Sequence, residues 1–483
     1  MNNISPPKNT QGRFKRTFIG DRAFYNTVLS LVVPIIVQNA VSNFVNLLDN
    51  IMVGQIGTAE MSGVAIANQL LFVFNLTIFG GLSGPSIFGA QYFGAGDNEG
   101  MRYTLRFKLW TVLVVLASAV IIFLSFGDNL ISLYLSGEGD ATEAAKMLNY
   151  GLDYLKIMIF GLLPFSLYQA YSSTLRESGE TMLPMKASLS AVLINLVFNY
   201  ILIFGKLGLP ALGVVGAAIA TVISRYAELA IIVVYTHRHS YRFMFIKGLY
   251  RSFKIPVKLA KMIFKKGMPL LLNELFWSTS MTVMAQIFST CGLNVVAGIN
   301  ISSTVTNLFN VVLISMGAAV SVMIGQTLGA GDIARAKADV WKLLFLNICA
   351  CLVVGGILAA VSPFIPLIYN TTDDVRKLAT HFMITSAVYM VFSAIANCCY
   401  FTIRSGGKTL ITLLFDSVYS WVIIIPYTYI ITNFTNLDIY AIYPLSYLTY
   451  VVKGIAGILI VRTGFWAQNV VSDKTVVKPV DLT

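Results

Sequence analysis

A chain of 483 residues that is 56% hydrophobic and only 12% charged, with a mean hydropathy of +0.74, is not a soluble globular domain. Soluble domains carry about 25% charged residues. The five cysteines (Cys291, Cys349, Cys351, Cys398, Cys399) lie in or beside apolar segments, in neither zinc nor disulfide spacing, and read as small packing residues. The net charge of +12 raises a nucleic-acid reading, which the placement of the charges removes below.

In chain order, residues 1–27 form a polar, basic tail without the short apolar core and cleavage site of a signal peptide. The first span, LVVPIIVQNAVSNFVNLLDNIMVGQ, is long enough to cross a ~30 Å hydrocarbon layer, yet it carries Asp49. At about 100° per residue, Gln38, Ser42, Asn46 and Asp49 share one stripe, which Asn39, Asn43 and Asn50 widen. Such a stripe finds no partners in lipid and must face other helices or a wet cavity. Pro34 lacks the amide hydrogen that bonds a turn back and marks a hinge. Further spans start near residues 62, 109, 150, 187 and 215. The second carries Asn68 and Asn75, the fifth Asn195 and Asn199, and the sixth Arg225 and Glu228, an expected i,i+3 pair at the interface. A basic linker follows at 236–267. Spans seven to twelve start near 268, 296, 343, 379, 410 and 441, before a tail at 463–483. Glu274 is an acid inside the seventh span. Asp416 and Lys453, in the eleventh and twelfth, each lie about 13 Å from a span end at ~1.5 Å per residue, and are expected to pair.

The expected fold is an all-α polytopic membrane protein with twelve transmembrane helices in two pseudo-symmetric six-helix lobes, 28–235 and 268–462. The loops alternate in charge, and one side with both termini holds 27 of the 34 Lys and Arg residues. The positive-inside rule then sets both termini in the cytoplasm of a cell membrane. The charge is a topology signal with contact to anionic lipid headgroups, and no nucleic-acid partner is expected. The halves repeat at an offset of 235: Pro34 and Pro269, Gly63 and Gly298, Asn75 and Asn310, Gln91 and Gln326, and GAGD at 94–97 and 329–332. Later the offset is 228, as for Arg176 and Arg404. A parallel repeat of this kind places a substrate path at or within the halves.

These motifs resemble the multidrug and toxic compound extrusion (MATE) transporters over nearly the whole chain. The aspartate fifteen residues after a proline in Pro34-x14-Asp49 resembles that family's first helix, the paired loops GAQYFGAGD and IGQTLGAGD resemble its cytoplasmic signatures, and the fifth span NLVFNYILIFGKLGLPALGVVGAAIATVISR is similar to the NorM-like bacterial branch. The resemblance implies no enzyme and no cofactor. It implies a monomer that exports organic cations or other amphiphilic drugs against inward H+ or Na+ flow. It also marks departures. Asn199 stands where some members have an aspartate, Trp277 where NorM-like members have a glutamate, and Ser393 near their tenth-span acid. The ion-coupling and cargo candidates are therefore Asp49, Asn46, Gln38, Asn195, Asn199, Asn68, Asn75 and Glu274. Burial favours the neutral form of a carboxyl group, so Asp49 can carry a proton. Alternatively its carboxylate, with Asn195 and Asn199, offers oxygens to Na+. A lipid-linked oligosaccharide flippase of similar fold is the alternative function, but it calls for a cationic cavity. An ATP-driven enzyme is disfavoured, because SGGKT at 405–409 lacks the first glycine of a phosphate loop and any preceding strand.

Overall fold

The computed structural model describes residues 17–135 and 141–472, apart from the side chains of Asn46, Leu47 and Ala141. The candidate Asn46 thus lies outside the described side chains, as do most of both tails. Twelve long helices make up the described chain. In the first half they are α1 (Arg22–Gly54), α2 (Thr58–Gly94), α3 (Asn98–Leu135), α4 (Ala141–Glu177), α5 (Met182–Phe204) and α6 (Gly213–Arg238). In the second half they are α7 (Val257–Ser289), α8 (Leu293–Gly329), α9 (Ile333–Val361), α10 (Asp373–Ser405), α11 (Thr409–Asn433) and α12 (Ile439–Thr463). Only intrahelical bonding satisfies the backbone of a single segment in hydrocarbon, so apolar runs of this length have no other choice.

Eleven of the twelve are long and apolar enough to cross a membrane on composition alone. The exception is α7. Its first turns carry Lys258, Lys261, Lys265 and Lys266, and Asn273, Glu274, Ser278, Thr279 and Ser280 follow. Its counterpart α1 shows that it belongs to the same set. Arg22–Gly54 and Val257–Ser289 begin and end 235 residues apart, as do Thr58–Gly94 and Leu293–Gly329. The sequence repeat is a repeat of helix boundaries.

The paired loops show why GAGD recurs. Gly96 and Gly331 adopt the left-handed conformation, with φ of 72° and 83°, which a side chain resists. The next residue then caps the following helix: Asp97 Oδ1 accepts from the Glu99 and Gly100 amides, and Asp332 Oδ1 from the Arg335 amide at 2.9 Å. The motif is a turn-and-cap device between two long helices.

The described chain divides into two compact units, residues 17–32 with 277–472, and 33–276. The expected joint was the linker; the units instead part inside α1, just before Pro34, and inside α7. The first turns of α1 belong with the second half, and Phe18 packs on Trp341 and Phe345 of α9. The first turns of α7 belong with the first half. There Gly84 of α2 meets Gly267 so closely that a methyl group has no room. The linker is not loose either: Arg106 of α3 donates to the carbonyls of Gly248, Leu249 and Lys254, and Phe243, Phe245, Ile246 and Leu249 are buried.

Candidate ion-coupling site

The polar residues of the first half collect where α1, α2, α4, α5 and α6 meet. Asn195 and Asn199, one turn apart on α5, point to one side and are 3% and 0% exposed. Gly205, with φ of 64°, stops α5, and Gly216 lets α6 return against the Leu202 backbone. This tight hairpin brings Thr221 beside Asn195. The Asn199 amide nitrogen donates to Asp49 Oδ1 at 2.5 Å and to Asn195 Oδ1 at 3.0 Å, and the Asn195 nitrogen donates to Thr221 Oγ1 at 3.2 Å. The hydroxyl of Tyr154 on α4 lies beside Thr221 and Asn68 of α2.

Two features define what this arrangement can do. One neutral amide, that of Asn199, holds the Asp49 carboxylate, and no cation closes on it within ion-pair distance among the described residues. Beside it, the carbonyl oxygen of Asn199 is enclosed without a hydrogen-bond partner. A buried acceptor left unmatched loses its hydration with nothing in return. A protonated carboxyl can donate to it, and a hard cation can be ligated by it. The oxygens of Asp49, Asn195, Asn199 and Thr221 form a donor set suited to Na+. No cluster of three or more His, Cys, Asp or Glu suited to a metal occurs among the described residues.

The other candidates lie elsewhere. Gln38 belongs to a second network, accepting from Arg176 Nη2 at 2.7 Å and donating to the Tyr168 hydroxyl at 2.8 Å and Ser188 Oγ at 2.9 Å. Asn75 sits apart on α2, its amide oxygen enclosed without a partner. Glu274 packs against Gly80 of α2 and is 9% exposed. Pro34 lies within α1, which continues through it.

Asp416 and Lys453 do pair, with Lys453 Nζ 2.6 Å from Asp416 Oδ1. The ammonium also lies 5.6 Å from the Phe415 ring centre and 5.8 Å from that of Tyr419. Here α11 departs from α-helical winding in two π-helical turns, Leu414–Val418 and Ser420–Ile424. The expected Arg225–Glu228 pair does not form. Glu228 instead accepts from Ser188 Oγ at 2.5 Å and bonds Tyr168. Arg225 donates to the Gly161 carbonyl at 3.4 Å and covers the Phe165 ring at 4.9 Å. Sequence reasoning also missed Tyr154 and Thr221, whose hydroxyls stand out in no periodicity. The two charges of α6 were visible, but their spacing suggested only each other.

The described chain is a multi-pass helical protein with duplicated halves and an acid held by one neutral amide. The MatE family model matches residues 34–201 and 269–430, and the chain belongs to that family, the MATE transporters. A probable multidrug resistance protein NorM of Thermotoga maritima is 23% identical over 456 residues, covering 93% of this chain and 95% of that protein. A probable multidrug resistance protein YoeA of Bacillus subtilis is 26% identical over 424 residues, covering 85% and 88%. The fold matches a crystal structure of MATE in the bent conformation with a TM-score of 0.82 at 21% identity, covering 94% of this chain and 98% of that one. A Vibrio cholerae MATE transporter, VcmN, matches with a TM-score of 0.81 at 16% identity, covering 92% and 98%.

Proposed function

We propose that this protein is a secondary active multidrug efflux transporter of the cell membrane. It exports organic cations and other amphiphiles by alternating access, in exchange for H+ or Na+ entering at Asp49. The observation that carries this reading is the Asp49 carboxylate held by the Asn199 amide beside the unmatched Asn199 carbonyl oxygen. A charge in this setting can be neutralised by a proton, ligated by Na+ or paired with a cationic drug, and each occupant disfavours the others. That competition is what exchange across a membrane requires. The multidrug resistance names of the NorM and YoeA relatives support the cargo class. The skew of Lys and Arg to one side supports cytoplasmic termini.

The test is transport in proteoliposomes with the proton and sodium gradients imposed separately. One gradient is expected to drive ethidium or tetraphenylphosphonium uphill, and Asp49→Asn to abolish that drive with protein levels intact. Full efflux by Asp49→Asn would sink the coupling role. Efflux driven by neither gradient would sink exchange itself.

A further inference from the structure

The first-half network does not end at Asp49. Glu228 lies two turns below Thr221 on α6 and is part-buried. It faces groups from each helix packed around it: Ser188 from α5, Tyr168 and Arg176 from α4, and Arg225 from its own helix. Through Ser188 and Tyr168 it joins Gln38 of α1, which accepts from Arg176. Between this group and the Asp49 group stands Arg225. Its guanidinium lies within electrostatic reach of Glu228 and Asp49, yet it closes on neither acid and donates to a backbone carbonyl. Nearby Lys108 and Glu177 neutralise each other at 2.5 Å. Among the described residues, the charges that act on Arg225 and Glu228 are Asp49 and Glu228 against Arg225 and Arg176.

We propose that Glu228 is a second proton-carrying carboxylate of this site, joined to Asp49 by Arg225 as a positioning residue shared between them. The inference rests on the reading of Asp49 above. Two ionised carboxylates balance two guanidinium groups, so with both carboxyls protonated the seam is left with two unbalanced positive charges, and a cationic cargo that adds to them favours release of both protons. Removal of charge at one acid frees Arg225 to close on the other, which makes the two titrations interdependent. When a cationic drug enters, each protonated carboxyl releases its proton to water as carboxylate, and no other bond changes. The chain Ser188–Tyr168–Gln38–Arg176 also gives Glu228 hydrogen-bonding groups leading toward the end of α4 that carries Arg176.

The experiment is infrared difference spectroscopy on the full-length protein, with and without saturating tetraphenylphosphonium at fixed pH, together with the protons released into weakly buffered solution. Wild type is expected to lose two protonated-carboxyl bands. Glu228→Gln should lose one band and release about half the protons, Asp49→Asn should lose the other, and Glu228→Asp should keep two bands with one shifted. Arg225→Lys should keep both bands, whereas Arg225→Met should alter both together. Bands and proton release in Glu228→Gln that match wild type would overturn the inference. Should Glu228→Gln fail to fold, the wild-type spectrum against Glu228→Asp decides, because an unshifted pair of bands excludes Glu228. Signals unchanged by Asp49→Asn would instead overturn the reading of Asp49, leaving Glu228 judged on its own band.

Discussion

The two halves of this transporter solve the same problem in opposite ways. Each places a part-buried acid on a helix among its neighbours. In the second half, Asp416 meets Lys453 at 2.6 Å, with two aromatic rings over the ammonium, and the charge is settled within the protein. In the first half, Asp49 meets a neutral amide at 2.5 Å and an unmatched carbonyl oxygen stands beside it. An ion pair supplies its own counter-charge and has little reason to recruit another. An acid that no cation contacts directly remains open to a proton, a metal ion or a drug. The difference teaches that an intramembrane carboxylate reports function through what fails to neutralise it.

That contrast can be broken most directly by exchanging the acids for amides. Asp49→Asn is expected to cut gradient-driven efflux at least tenfold while leaving the thermal unfolding midpoint near wild type. Asp416→Asn should do the reverse, retaining coupled efflux in a less stable protein. Equal loss of coupling in both would end the distinction. Next in size, Lys453→Met leaves a buried carboxylate uncompensated and should destabilise the protein by about 3–5 kcal/mol. The double variant Asp416→Asn/Lys453→Met should recover most of that loss, as melting in detergent would show. Asn199→Ala removes the amide that holds Asp49. A hydrogen bond to a charged group contributes about 1.5–3 kcal/mol, so tetraphenylphosphonium-linked ion release should weaken by roughly tenfold or more. The smallest effect is expected from Tyr154→Phe, which deletes one shared hydroxyl. A neutral hydrogen bond is worth about 1 kcal/mol, so transport should fall about fivefold at most.

Much of this molecule was legible before any coordinates. Helices, their count and the repeat follow from hydropathy and spacing, because a bilayer admits so few backbone solutions. The α7 helix is instructive. Its polar turns keep it below the composition of a membrane span, and only the offset to α1 identifies it from sequence. The stripe on α1 was equally plain, but its members part company in space. Asp49 joins α5, whereas Gln38 joins Arg176 some three turns away. A helical wheel gives the face of a residue and not its partner on another helix. The pairing of Asp416 with Lys453 was predictable because two opposite charges at one depth have few alternatives. The i,i+3 spacing of Arg225 and Glu228 misled for the converse reason. Both are long side chains, and Ser188, Tyr168 and the Gly161 carbonyl offered each a competing partner.

The chain by itself determined that twelve helices form, that they repeat, and that Asp49 is the acid to watch, since these depend on local composition and period. Only the folded arrangement decided which amide holds that acid, which oxygen goes unmatched, and where the compact units divide within α1 and α7. Those outcomes depend on distances between residues as many as 150 positions apart. Such distances follow from how helices pack against one another, which no local pattern encodes.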